Sequence, residues 1–446
     1  MMTKIVVVGG GAAGTGAATI AIQHDRSLSV TLLTEFEDIA YSPCGIPYVF
    51  GREIEKFDGL FMQTPDFYKE MGLDVRPCTV VTRIDMGERV VYAGEEKFPF
   101  DKLIIATGWE YDPPDVPGTD LGGVEYIKNI RRAMELDKQL DQVKRAVVYK
   151  AKPLGLELIS ALPHRGIETH LVDEAPWLLS DFADPDMMKP VQDSLEEMGV
   201  KLHLGTKLLG FKGQNSRLSA VETSDGEIPA EMAFVATTMK PATALAQSIG
   251  CKIGSTGAIV VDDHMRTSVP DVYAAGACVE VMHGLLKIPI QLLPGSYAYP
   301  MGKIAGYNAA GGDRPFQEVF VPWGIIGGKV QVGGALISET IAKAMGMPYM
   351  VGRATGITAA RYYPTHEKMH VKLLADPKTH RVLGAQFAGG DGVKERADFM
   401  AFAIRKESTL EELATMENVY SPPIGALNEP IALAAQAALR DAAAKK

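Results

Sequence analysis

Apolar residues open this chain in short continuous runs, the first of them stopped by glycine. Residues 5–8 (IVVV) end at Gly9, a helix-like stretch follows from 12 to about 23, and residues 29–33 form a second β-like run. A strand that is apolar at every position, not every second one, has both faces covered, so this β–α–β start predicts a parallel sheet in an α/β fold. The same shape recurs from Arg145, with AVVY as strand, 154–162 as helix and THLVD as the next strand. Two such units predict two Rossmann-like nucleotide-binding domains. Residues 101–108 (DKLIIATG) and 272–278 (VYAAGAC) are further glycine-terminated strands, and the proline-rich 112–118 is a connector.

The pattern changes near residue 315. HVKLLAD and VLGAQFAG alternate as antiparallel strands around a turn at 377–380, and Ala-, Glu- and Leu-rich helices follow. The expected division is a discontinuous first domain, 1–110 with 245–315, a second at 111–244, and a C-terminal α+β domain at 316–446.

With 446 residues, 46% of them hydrophobic, the chain exceeds one ordinary core. Its net charge of -10 argues against nucleic-acid binding, which needs a basic face. No run reaches the roughly 18 apolar residues of a membrane span. The four cysteines, at 44, 78, 251 and 278, have no metal-ligand or CxxC spacing, so a reducing, cytoplasmic setting is expected.

Gly9, Gly11 and Gly14, with Ala12 and Ala13 between them, satisfy G-x-G-x-x-G between a strand and a helix. Glycines there permit a tight turn, a close approach to a pyrophosphate, and close helix–strand packing, while the helix N-terminus offers free N–H groups. Glu35, with Thr34 before it, is the candidate ribose-binding acid at the second strand's end.

The segment Tyr41-Ser42-Pro43-Cys44-Gly45-Ile46-Pro47-Tyr48 carries the chemistry. Together with the glycine motif, IIATG at 104–108, VYAAG at 272–276, YYP at 362–364, LGAQ at 383–386 and YSPP at 420–423, it resembles the pyridine nucleotide–disulfide oxidoreductase superfamily. Within that superfamily the chain is similar to the single-cysteine branch of coenzyme A disulfide reductases, NADH oxidases and persulfide or polysulfide reductases. The resemblance implies FAD in the first domain, held by the glycine motif, Pro43, Ala106, Thr107, Gly108, Gly276 and Ala277. It also implies a nicotinamide site around Gly155 and Asp173, and a C-terminal dimerisation domain. Cys44 would then work against the flavin, with Tyr420 of the other subunit and Tyr362 or Tyr363 beside it. A thiolate is the nucleophile, and a helix N-terminus and a stacked flavin are expected to lower its pKa. No second cysteine lies five residues on, so the partner sulfur comes from a substrate, as a disulfide, persulfide or polysulfide, or is replaced by a sulfenic acid.

Departures from the family pattern cluster in the second site. Lys150 and Lys152 stand where the family has glycines, leaving Gly155 alone, and Thr238 replaces another glycine. Ala277 replaces the Asp expected after VYAAG. These changes leave open two routes for electrons: NAD(P)H held in an altered way, or delivery by an iron–sulfur protein partner, with the chain as the FAD subunit of a larger complex. An NADH oxidase is the remaining alternative.

Overall fold

The computed structural model describes residues 2–237 and 239–444. Two five-stranded parallel sheets form as the apolar runs predict. In the first the order is Val272–Ala274, Lys102–Ile105, Lys4–Val8, Ser29–Leu33, Asp74–Arg76. In the second it is Lys201–Leu204, Glu168–Asp173, Arg145–Tyr149, Met232–Val235, Val124–Glu125. Each sheet reverses its winding beside its first strand, and the crevice at the carboxyl end of that switch is where such sheets take ligands. The first helix, Ala12–His24, packs along the helix Gly295–Ala309. A Cβ on Gly302 would lie 2.0 Å from the Ala13 carbonyl, and one on Gly306 2.1 Å from that of Ala17, so only glycine allows these backbones to meet.

The second unit's helix begins at Pro153 and ends at Ala161, then continues as a 3-10 turn over Leu162–Arg165. Pro153 explains the earlier start: its fixed φ suits the first helical turn. A short antiparallel ribbon, Trp109–Tyr111 with Met239–Pro241, connects the two units. The second sequence departure, Thr238, lies outside the described residues.

The C-terminal sheet is antiparallel, ordered Pro322–Gly327, Val330–Leu336, Val382–Gly389, Lys368–Ala375, Met350–Ile357. The helices Val393–Arg405 and Pro430–Ala444 cover it. The predicted hairpin over 368–389 is present. The α/β architecture, with two Rossmann-like units and an α+β C-terminal unit, is as the sequence led us to expect.

A buried ionic cluster joins this last unit to the second. Lys372 and Asp184 are only 2% and 1% exposed in their side chains, and the ammonium reaches Asp184 at 2.9 Å, Asp186 at 2.8 Å and Glu339 at 2.8 Å. Asp184 stands at the start of the helix Pro185–Glu197, and its carboxylate, which makes no bond to that helix, accepts hydrogen bonds from Thr340 N and Oγ1 and from Gln386 Nε2. Burial opposes ionisation of Asp184 and Glu339, but the bonds from Lys372 and its neighbours outweigh it and hold both carboxyls at about 2.

Lys372→Met is expected to destabilise the protein by about 3–5 kcal/mol, because it leaves the buried Asp184 carboxylate without a cation, while Asp186 and Glu339 keep Arg353. The denaturant midpoint at neutral pH measures this. The carboxyls are depressed in the folded state, so their contribution is present above the unfolded values of 3.8 and 4.5 and is lost as pH falls towards about 2. The gap between wild type and variant should narrow over that acid range.

Candidate functional site

The loop after the first strand turns at Gly9, whose φ of +118° favours glycine. A Cβ at Gly9 would strike the Ala106 carbonyl at 2.1 Å, and one at Gly14 the Gly9 carbonyl at 1.8 Å. These two glycines are needed for packing. Gly11 is different: it caps the helix, and a Cβ there would meet nothing within 4 Å. The helix starts at exposed Ala12 with no side-chain cap and no acid in its first turn, so its N–H groups face open space. That cradle suits the diphosphate of a dinucleotide such as FAD.

The other residues expected around this cofactor come together here. Thr34 is buried beneath Gly10, whose added Cβ would lie 2.7 Å from Thr34 Oγ1. Glu35 is exposed beyond it, 3.7 Å from Lys128. Thr107 Oγ1 donates to the Ala242 carbonyl at 2.6 Å, tying the strand end to the ribbon between units. Gly276, at φ +88°, lies against Ala13, where an added Cβ would come within 2.8 Å of the Ala13 Cβ. Buried Ala277 presents its carbonyl to Gln291 Nε2 at 2.7 Å, so its backbone is fixed although it lacks a carboxylate.

Pro43 opens a 3-10 turn, Pro43–Gly45, that leads into the helix Ile46–Phe50. Cys44 is exposed on this turn. Behind it Ile46, Val49 and Phe50 are buried in the core of the second unit, where the Phe50 ring lies 6.1 Å from that of Phe234. Gly51 then passes Ala161 so closely that an added Cβ would sit 3.1 Å from its Cα. The helix Pro153–Ala161 therefore stands directly behind the cysteine.

That packing brings Glu157 and Tyr48 to the cysteine, two residues with no assigned role in the sequence reading. Desolvation raises the Glu157 carboxyl to about 7, with the nearby Tyr48 hydroxyl pulling it the other way. Desolvation by the protein on one side also pushes the Cys44 thiol up, and the Glu157 charge pushes it the same way. The lowering expected from a helix N-terminus is absent in the chain itself: the turn at Cys44 is too short, and its nearest charge is negative. The signal in the sequence was a single carboxylate in an apolar helix, between Leu156 and Leu158.

Tyr362 and Tyr420 are 73% and 48% exposed, and their hydroxyls lie 2.8 Å apart. Tyr363 does not join them; its backbone closes a local turn with Ala360 and His366. The remaining cysteines are unlike Cys44. Cys251 and Cys278 are buried, and Cys78 is exposed on a loop at φ +52°.

In the second unit the loop keeps its shape despite its lysines. Lys150 holds φ at +81°, in the region that favours glycine. A Cβ on Gly155 would lie 1.9 Å from the Lys150 carbonyl, the counterpart of Gly14 over Gly9. Asp173, at the end of the next strand, accepts from Ala151 N at 2.7 Å and Ala175 N at 3.0 Å. Lys150 bridges Asp173, at 3.4 Å, and Glu174.

Two dinucleotide cradles, with one exposed cysteine packed between their units, define a redox enzyme that works with two nucleotides. The chain belongs to the pyridine nucleotide-disulphide oxidoreductase family, whose domain matches residues 3–297 and whose dimerisation domain matches residues 327–430. It is 35% identical over 445 residues to an NADH oxidase of Methanocaldococcus jannaschii, covering 98% of this chain and 99% of that one. It is 30% identical to a CoA-dependent NAD(P)H sulfur oxidoreductase of Pyrococcus furiosus, over 97% and 98% of the two chains. Among solved structures, an NAD-dependent persulfide reductase from A. fulgidus superposes with a TM-score of 0.95 at 30% identity, covering 99% of this chain and 84% of that one. The family works with FAD and NAD(P)H, and an iron–sulfur partner finds no support among these relatives. No helix among the described residues is long and apolar enough to cross a membrane.

Glu157→Gln in a Cys78→Ser background is expected to move the pH midpoint of Cys44 alkylation by iodoacetamide downward, since an amide does not repel a thiolate. An unchanged midpoint would show that Glu157 does not govern the charge on this cysteine.

Proposed function

We propose that this chain reduces a disulfide, persulfide or polysulfide, of the coenzyme A type, with electrons from NAD(P)H passed through FAD to Cys44. The observation that carries the reading is the exposure of Cys44, without a second thiol beside it, on a turn backed by the second nucleotide unit. A lone nucleophilic thiol needs its partner sulfur from a substrate. The sulfur-reducing relatives support the same choice.

Gly9, Gly11, Ala12, Ala13 and Gly14 would hold the FAD diphosphate, Thr34 and Glu35 a ribose, and Pro43, Ala106, Thr107, Gly108, Gly276 and Ala277 the rest of the cofactor. Gly155 and Asp173 would hold the pyridine nucleotide. Bound FAD supplies two-electron transfer between nicotinamide and sulfur. Cys44 thiolate attacks a substrate R–S–S–R, breaking that bond, forming Cys44–S–S–R and releasing R–S⁻. Two electrons, originating in NAD(P)H, then free the second R–S⁻ and restore the thiolate. Glu157 is positioned to hold or return a proton near neutral pH. In the homodimer, the Tyr362–Tyr420 pair of one subunit serves the partner subunit's Cys44 as a hydrogen-bond donor.

The 35% identical NADH oxidase supports a second reading, in which oxygen is the acceptor and Cys44 passes through a sulfenic acid.

Anaerobic titration with NADH and then NADPH should bleach the flavin of both wild type and Cys44→Ser. Turnover of a coenzyme A persulfide or disulfide should fall roughly 1000-fold or more in the variant. Undiminished sulfur turnover in Cys44→Ser would sink the cysteine mechanism. A flavin reduced by dithionite but by neither nucleotide would overturn the reading as a whole. Oxygen consumption that outpaces sulfur reduction would favour the oxidase.

A further inference from the structure

The two cradles differ at one equivalent position. Gly11 caps the first helix at φ -77° and ψ -171°, and Lys152 caps the second at φ -77° and ψ 171°. Where a Cβ at Gly11 would meet only open space, Lys152 sends out a four-carbon stem and an ammonium. Neither cap bonds the helix through its side chain, and neither helix has an acid in its first turn. Lys152 leaves the backbone of the cradle intact and adds a movable cation at its mouth.

The two lysines are held differently. Lys150 is 23% exposed and clasped between Asp173 and Glu174, a fixed strut from loop to strand end. Lys152 contacts a single carboxylate, that of Asp181, whose side chain is 56% exposed. Both line a polar cleft of about 120 Å³ with Asp173, Ala175, Leu179 and Asp181. Burial lowers the Lys152 ammonium from its ordinary value; the Asp173 charge opposes this and the charge on Lys150 adds to it. A half-desolvated ammonium whose one contact is a carboxylate with its side chain 56% exposed can exchange that partner for a phosphate without any backbone movement.

We propose that Lys152 is the diphosphate ligand of the second cradle, and that Asp181 occupies it until the pyridine nucleotide arrives. The nucleotide diphosphate displaces the Asp181 carboxylate, which turns out to solvent. In this chain a side-chain cation takes over part of what backbone approach to glycine does in the first cradle. The proposal rests on the pyridine-nucleotide reading of the second unit.

The test is the Kd for NADH of the FAD-loaded protein, its flavin first reduced by dithionite without oxygen so that no hydride is transferred, measured from the change in nucleotide fluorescence at low and high salt. Lys152→Gln should weaken binding about tenfold, the worth of one charge-assisted contact. Its deficit should shrink as salt screens the contact in wild type. Lys152→Arg should stay close to wild type, and Asp181→Asn should bind more tightly than wild type. An unchanged or tighter Lys152→Gln, or a weaker Asp181→Asn, overturns the proposal while leaving NADH binding itself in place. Failure of the wild type to bind NADH overturns both the proposal and the reading beneath it. The visible spectrum of bound FAD in each variant confirms that the fold is intact.

Discussion

Ile46, Val49 and Phe50 leave the unit in which their chain segment begins and bury themselves in the core of the next. All else at the candidate site depends on that burial. Each such side chain contributes about 1.5–3 kcal/mol when taken out of water, so the turn carrying Cys44 is fixed to the second unit more firmly than loop hydrogen bonds could fix it. The cysteine therefore sits at a seam between two nucleotide cradles. The helix that starts the second cradle, Pro153–Ala161, is the same helix that brings Glu157 behind the thiol.

The cradles illustrate how much of a glycine motif is packing and how much is access. Gly9 and Gly14, like Lys150 and Gly155, set how closely a helix approaches its strand, and the contact distances in the two loops are nearly the same. Lys150 accepts a backbone conformation that costs a non-glycine residue roughly 1–2 kcal/mol. Its ion pairs with Asp173 and Glu174 offset that cost. A motif with two of its three glycines missing can thus retain its shape, provided the loop finds other ties to the sheet.

At the far end, the Lys372 cluster anchors the C-terminal sheet to the second unit, with its carboxylates and ammonium all satisfied. A buried charge cluster tolerates little sliding, because displacement strands an ion in a low-dielectric interior. It holds the sheet in one orientation relative to the second unit, against which the turn carrying Cys44 is packed. Those two hydroxyls are exposed and bond to each other, which suits groups offered across a dimer interface.

The sequence by itself determined the two parallel sheets, the antiparallel C-terminal unit and the shape of the first glycine cradle, and it singled out Cys44 as the candidate nucleophile. Each is written in local pattern: continuous apolar runs, glycine spacing, a proline-flanked cysteine. Tertiary structure decided what depends on distant segments meeting. It made Tyr362, and not Tyr363, the partner of Tyr420, although the two are adjacent in the chain. It set Glu157 and Tyr48 behind Cys44, where burial and the neighbouring carboxylate both push the thiol upward. It also showed that Lys150 and Lys152, alike in the sequence as lost glycines, occupy different places, one locked between two acids and one at the mouth of the cleft. Charge and burial at a site are properties of all the elements that converge there, and no single stretch of sequence contains them.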